Sequence, residues 1–248
     1  MMRVCIFMVR DIVTGRNTNI QFFINLFPKS LRLRFNPRRH AIETFVQSSA
    51  KKVLPKSKVL DAGAGPCPYK SFFTHAVYEA TDYSNPHNML DFTCSLDNIP
   101  KPANFYEAVL STEVLEHVEY PQKVMNEMHR ILKKGGNLFL TTPQGWMIHQ
   151  APHNYFYFTK YGLKSLLKNA GFKKFKITPM GGFFKFLADA LRFNSIFEQW
   201  NHNKLIYFPL WLIDLILFRI IASFALFHLD FIDRKKFWTM GYTVEATK

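Results

Sequence analysis

Short apolar runs alternate along the chain with longer stretches whose apolar residues recur every three or four positions. KVLDAG at 58–63 is a run of the first kind, halted by glycine, and its length fits a buried strand. VYEATD at 77–82 and YEAVLST at 106–112 read the same way, and GNLFLTTP at 136–143 is a strand that Pro143 ends. Helical periodicity fills the gaps. One helix is expected over 41–52, closed by Pro55, and another over 120–132. The second runs into LKKGG, with lysines in its last turn and glycine beyond. TKYGLKSLLKNAG predicts a third helix, with Thr159 as N-cap and Gly171 as the stop. FKKFKITPM then alternates as a strand, and GYTVEATK at 241–248 closes the chain likewise. Strands alternating with helices predict an α/β fold with a mostly parallel, doubly wound sheet. In such a sheet the ligand sits beyond the C-terminal strand ends, where strand order reverses.

One apolar stretch does not fit that alternation. KLIYFPLWLIDLILFRIIASFALFH at 204–228 is long enough to cross a bilayer. Asp214 and Arg219 near its centre oppose insertion by roughly 2.5–3.5 kcal/mol each. It also lies between two strands that must pair in one sheet, so the chain has to return on the side it left. The preceding FFKFLADALRFNSIFEQW is amphipathic, with Lys185, Asp189 and Arg192 opposite its Phe and Leu residues. Residues 183–235 therefore read as a hydrophobic helical insertion, either a lid or a membrane-interface element dipping into the cytoplasmic leaflet. RKK at 234–236 would meet anionic headgroups. Residues 1–40 form a basic extension and 41–248 the domain that carries the insertion.

Composition narrows the setting. A net charge of +14 suggests an acidic partner: nucleic acid, an anionic membrane surface or an anionic substrate. Cys5, Cys67 and Cys94 have no paired spacing, which points to neither a disulfide framework nor a zinc site. The run in MMRVCIFMVRDIV is too short for a signal-peptide core, so the cytoplasm is expected, with peripheral attachment to the membrane's cytoplasmic face.

The switch point falls in VLDAGAGPCPYKSFF. Gly63 and Gly65 let the backbone turn tightly and approach a ligand. Pro66 and Pro68 each remove an N–H that a pyrophosphate would need, and Cys67 stands where a dinucleotide loop has its third glycine. Asp61 beside the loop would repel a phosphate and attract a cation. Nineteen residues after Gly63, Asp82 ends the second strand, where an acid can bond both hydroxyls of a ribose. A ribose without phosphates, next to a cationic group, describes S-adenosylmethionine.

With VLDAGAGPCPY, YEATDYS, LDFTCSLDNIP, FYEAVLSTEVLEHVEYPQKVMNEMHRILKKGGNLFLTTP and YFTKYGLKSLLKNAGF in this order, the sequence resembles the class I S-adenosylmethionine-dependent methyltransferases. The segments span 58–180 and the final strand. The resemblance implies a Rossmann-like sheet of seven strands with the last antiparallel. It implies Asp61, Gly63 and Gly65 along the methionine portion, Asp82 on the ribose, and Asp91 with Phe92 at the adenine. Cys67 replaces a small residue of the family pattern, and Tyr106-Glu107 a common Phe-Asp.

Methyl transfer from a sulfonium needs alignment and, for a hydroxyl acceptor, a way to remove a proton. If a helix starts within STEVLEHV, then Glu113, Glu116 and His117 share one face toward the cleft. His153, in APHNYFYFT, would approach the same cleft. The E-x-x-E-H segment with a later histidine resembles the metal-binding arrangement of small-RNA 2′-O-methyltransferases and ubiquinone-pathway O-methyltransferases. Glu113, Glu116, His117 and His153 are thus expected on the acceptor side, either as ligands of Mg²⁺ or a related ion or as base and orienter. His75 and His129 are expected at the surface. The acceptor expected is an oxygen of an amphiphilic or lipid-linked small molecule or glycan intermediate. An RNA methyltransferase is the alternative, although the basic runs are scattered and lack an aromatic–basic repeat. A non-catalytic membrane scaffold of the same fold is a third reading, opposed by the intact glycines, Asp82 and Asp91.

Overall fold

The apolar runs pair into one sheet. The computed structural model describes residues 34–86, 88–193 and 213–248, together with Pro28. The 204–212 part of the long apolar stretch lies outside the described residues. The strands are β1 (Lys58–Ala62), β2 (Val77–Asp82), β3 (Phe92–Thr93), β4 (Tyr106–Thr112), β5 (Leu132–Pro143), β6 (Lys174–Pro179) and β7 (Gly241–Thr247). Their order is β3-β2-β1-β4-β5-β7-β6. Pairing is parallel from β3 through β5, and β7 runs antiparallel to β5 with Leu140 opposite Val244. Strand order reverses between β1 and β4, so the switch point lies beyond the ends of these two strands.

The helices are α1 (Pro37–Ala50), α2 (Pro121–Ile131), α3 (Lys160–Asn169), α4 (Phe183–Phe193) and α5 (Ser223–Leu229). Thr159 caps α3 as expected, its hydroxyl accepting the Gly162 N–H at 3.2 Å. Leu60, Val109, Met125, Leu138 and Leu163 are fully buried between sheet and helices. That burial, rather than helix propensity, orders the short amphipathic segments.

Two local expectations change. LKKGG does not finish a helix, because Leu132 already pairs with Tyr106 as the start of β5. The extra residues form an irregularity that returns to register at Asn137, with Gly135 at φ +79° donating its N–H to the Lys248 carbonyl. His129 is half-buried, its ring edge-on to Phe172 at 4.9 Å, while His75 is exposed.

The chain divides into two compact units, one of Ile42–Thr178 with Gly241–Lys248 and the other of Met1–Ala41 with Pro179–Met240. In the second, Arg38 donates Nε–H to Asp189 at 3.0 Å and Nη1–H to the Met240 carbonyl at 3.1 Å, both side chains being buried. A π-helical stretch, Asp214–Ala222, leads into α5. The Ser223 hydroxyl bonds back to the Phe218 carbonyl at 3.0 Å, and Arg219 reaches Asp214 at 3.1 Å, both across the five-residue spacing of a π turn. Among the described residues no helix is long and apolar enough to cross a membrane.

Candidate active site

The glycine loop leaves β1 at its C-terminal end. Gly63 has φ +83°, and a Cβ there would lie 2.4 Å from Cγ2 of Val114, so both conformation and space demand glycine. Gly63 and Ala64 donate their N–H groups to the Thr81 carbonyl at 2.9 and 3.0 Å, which ties the loop to the end of β2. Gly65, at φ +50°, donates to Asp82 Oδ2 at 2.9 Å, and Tyr83 N–H reaches Oδ1 at 2.6 Å. Asp82 thus sets the loop while each carboxylate oxygen keeps a lone pair for a ribose hydroxyl.

Asp61 is 1% exposed. Its Oδ2 accepts the Tyr78 hydroxyl at 2.5 Å, while Oδ1 has no partner among the described residues. Burial raises its pKa to about 7; the Tyr78 bond pulls it down and the Asp82 charge pushes it up. Asp91 is exposed and accepts the Ala80 N–H at 2.7 Å. With Phe92 it lines a cavity of about 410 Å³, completed by Glu79, Pro100 and Lys101. Glu79 and Lys101 were not expected there. They pair at 2.6 Å, and the Lys101 ammonium sits 4.7 Å above the Phe92 ring. A buried carboxylate with one oxygen unpartnered, a loop whose Gly63 admits no side chain and an acid at the end of β2 fit the cationic methionine portion and ribose of S-adenosylmethionine. They do not suit a pyrophosphate.

Beyond β4 the backbone departs from expectation. Glu113 has φ +53°, with its N–H held by the Thr141 carbonyl at 3.0 Å, so no α-helix begins at this point. A 3₁₀ turn, Leu115–His117, follows, and α2 waits until Pro121. The shared helical face of Glu113, Glu116 and His117 is therefore absent.

Another grouping stands in its place. The Glu116 carbonyl accepts the N–H groups of Tyr155 at 2.8 Å and Phe156 at 3.3 Å, stitching this turn to the loop after β5. His117 Nδ1 lies 2.6 Å from the His153 carbonyl, and His149 Nδ1 lies 3.1 Å from the Met147 carbonyl. A carbonyl can only accept, so each Nδ1–H donates to its carbonyl, which in a neutral His117 leaves Nε2 as the acceptor. The two rings meet edge to face at 4.7 Å, and His117 Nε2 is 3.6 Å from the buried Glu116 carboxylate. One ligating atom from each of Glu116, His117 and His149 falls within 4.8 Å of the others. Burial lowers the His117 pKa, which keeps the ring neutral. The structure thus joins Glu116 and His117 to His149, while Glu113 and His153 stay outside the group. His153 contributes its carbonyl, and its exposed ring turns to the Tyr155 hydroxyl at 3.2 Å. His149 carries no periodic signal, since it belongs to an irregular loop between Pro143 and Thr159.

A family model described as a methyltransferase domain matches residues 34–177, more than half of the chain. A search of curated proteins gives no significant match. Among solved structures, a SAM-dependent methyltransferase from Archaeoglobus fulgidus has 14% identity and TM-score 0.52, covering 83% of this chain and 94% of that one. Haemonchus contortus phosphoethanolamine N-methyltransferase 2, solved with S-adenosyl-L-methionine, has 15% identity and TM-score 0.52 over 83% of this chain. The match spans 52% of that enzyme, about half its length. The [4+2]-cyclase SpnF is as similar, with 17% identity and TM-score 0.52 over 85% of this chain and 82% of its own. Likeness at these identities speaks for the fold, and a cyclase among the neighbours shows that the fold alone leaves the reaction open. The family match goes further: the chain belongs to the methyltransferase-domain family, and its Rossmann-like fold is that of a class I S-adenosylmethionine-dependent methyltransferase.

Proposed function

We propose that the chain methylates an oxygen of an amphiphilic or lipid-linked small molecule or glycan intermediate, with Glu116, His117 and His149 on the acceptor side. The observation that carries this reading is the convergence of one imidazole nitrogen from each of His117 and His149 with an oxygen of the buried Glu116 carboxylate, all within 4.8 Å. An amine acceptor attacks through its own lone pair, whereas a hydroxyl needs its proton removed, and this group is suited to that task. Exposed Ile148, Tyr155, Phe156 and Tyr157 in the adjoining loop offer apolar and aromatic contact to a ring or an acyl chain.

S-adenosylmethionine, when bound, supplies an electrophilic methyl group on a sulfonium. Asp61 would hold its cationic portion, Asp82 its ribose, and Asp91 with Phe92 its adenine. Neutral His117 can take the acceptor proton at Nε2, with its ring fixed by the His153 carbonyl. The same three residues would suit a divalent ion: carbonyl-held Nδ1–H groups fix both rings, a usual support for metal-binding histidines. Such an ion would supply Lewis acidity to lower the acceptor hydroxyl's pKa.

The test is transfer of radiolabelled methyl onto fractionated lipid, glycan and RNA extracts, before and after exhaustive dialysis against EDTA. Activity that survives dialysis removes the ion from the reading. Activity that survives both His117→Ala and His149→Ala removes the acceptor-side role altogether. Label entering RNA alone would favour the polyanion alternative that the +14 charge keeps in view.

A further inference from the structure

Part of the unit containing α4 and α5 pairs its charges in the interior and leaves apolar residues outside. Over 213–221 the Arg219 side chain is 1% exposed and pairs with Asp214. By contrast Ile213, Ile216, Leu217, Phe218 and Ile221 are each 43–54% exposed. A helix packed on a water-soluble core normally has the opposite arrangement.

The segment after α5 also exposes apolar residues, here beside exposed cations. Phe231, Ile232, Phe237 and Trp238 are 55–78% exposed and flank Arg234, Lys235 and Lys236. The acids within it are already engaged. Asp230 accepts the N–H groups of Gly182 at 2.8 Å and Lys185 at 3.1 Å, and receives Lys236 Nζ at 3.0 Å. Asp233 accepts the N–H groups of Phe183 at 2.7 Å and Lys236 at 3.1 Å. These bonds cap the N-terminal end of α4 and hold the segment in shape. Arg234 and Lys235 remain exposed, with no ion-pair partner among the described residues. The Trp238 ring lies 5.6 Å from Phe186, which steadies it where it stands.

We propose that this surface docks on an anionic bilayer, with Phe231, Ile232, Phe237 and Trp238 entering the interface and Arg234 and Lys235 meeting the headgroups. Aromatic and aliphatic side chains around unpaired cations suit the boundary between acyl chains and anionic headgroups. A second copy of the chain fits less well, because a two-fold contact would place like charges together, and interface cores are poor in lysine. Nucleic acid would reward the cations but not the aliphatic residues, which offer bases no ring to stack on. This inference stands apart from the methyl-transfer reading, since no residue in it belongs to the cofactor or acceptor groups.

The experiment is flotation of the full chain with vesicles of phosphatidylcholine alone or mixed with phosphatidylglycerol. It compares wild type, Arg234→Ser with Lys235→Ser, and Phe237→Ser with Trp238→Ser. Wild type is expected to float with the anionic vesicles and far less with the neutral ones. Removing two cations should weaken anionic binding roughly thirtyfold, from the usual contribution per basic residue near such a surface. The aromatic pair should lose binding even at low salt. All these positions are exposed, so circular dichroism and S-adenosylmethionine affinity should match wild type and exclude misfolding as the cause. Wild type that stays unbound to anionic vesicles overturns the proposal, as does unchanged flotation of both variants. It is also overturned if the substitutions only dissolve a dimer in sedimentation, or only abolish binding to duplex RNA.

Discussion

The cofactor edge and the acceptor wall follow the neighbouring strands β1 and β4, yet they are built by opposite means. The methionine and ribose part of the edge comes from one short span, 61–82, in which a glycine loop bonds straight to the end of β2. Its geometry is local, and glycine and aspartate spacing announce it. The wall joins 113–117 to 146–156, two loops held together by the Glu116 carbonyl and the His153 carbonyl. Its geometry is long-range, and neither loop's periodicity foretells the other's path. The edge should therefore fail through backbone and cofactor affinity, and the wall through chemistry with affinity intact.

The largest expected effect lies on the wall. His117→Ala or His149→Ala should lower single-turnover methyl transfer by about 10²–10⁴-fold, the usual worth of a positioned proton-transfer group. S-adenosylmethionine affinity should stay within about twofold of wild type, as expected where only interactions made in the transition state are lost. A parallel loss of cofactor affinity would merge the two regions into one. Next comes Gly63→Ala on the edge. The added methyl collides with branched Val114 in a positive-φ backbone, so unfolding free energy should fall by about 2–4 kcal/mol. A shift in the urea midpoint measures it, and an unchanged midpoint would contradict the close approach.

The most gradual effect is a pH dependence with opposite signs for stability and for binding. Asp61 has its pKa raised from 3.8 to about 7, so between those values the folded chain keeps a proton that the unfolded chain has released. Stability of the cofactor-free chain is full below that window. It falls as pH rises through it, by at most about 1.4 kcal/mol per pH unit. Cationic S-adenosylmethionine favours ionised Asp61, so its affinity should instead tighten up to about pH 7, by at most about tenfold per unit, and then level off. Asp61→Asn should flatten both profiles, and calorimetry with thermal melts at stepped pH reads them.

What could be read from the sequence follows the same division. β2 and β4 begin and end where their sequence runs do, and β1 and β7 differ by a single residue; in β1 and β4 burial on both faces leaves a continuous apolar signature. β3 has two residues, too few for any period, and β5 starts four residues early through an irregularity that LKKGG disguises as a helix end. Glu113 misled for a conformational reason: a left-handed residue there breaks the helix that its i, i+3, i+4 spacing suggests. His149 stayed hidden because its partner His117 lies across the sheet ends, at a separation that no local pattern records. His153 falls in the loop that meets His117, but the contact is made by its backbone oxygen and not by its ring.

Asp82 shapes the loop and is the residue proposed to hold the ribose. Calorimetric titration of S-adenosylmethionine into wild type and Asp82→Ala tests this directly, with His149→Ala as the control from the other region. The account predicts a loss of about 1.5–3 kcal/mol in binding for Asp82→Ala, as charge-assisted bonds to the ribose disappear, and none for His149→Ala. Wild-type affinity in Asp82→Ala would contradict it.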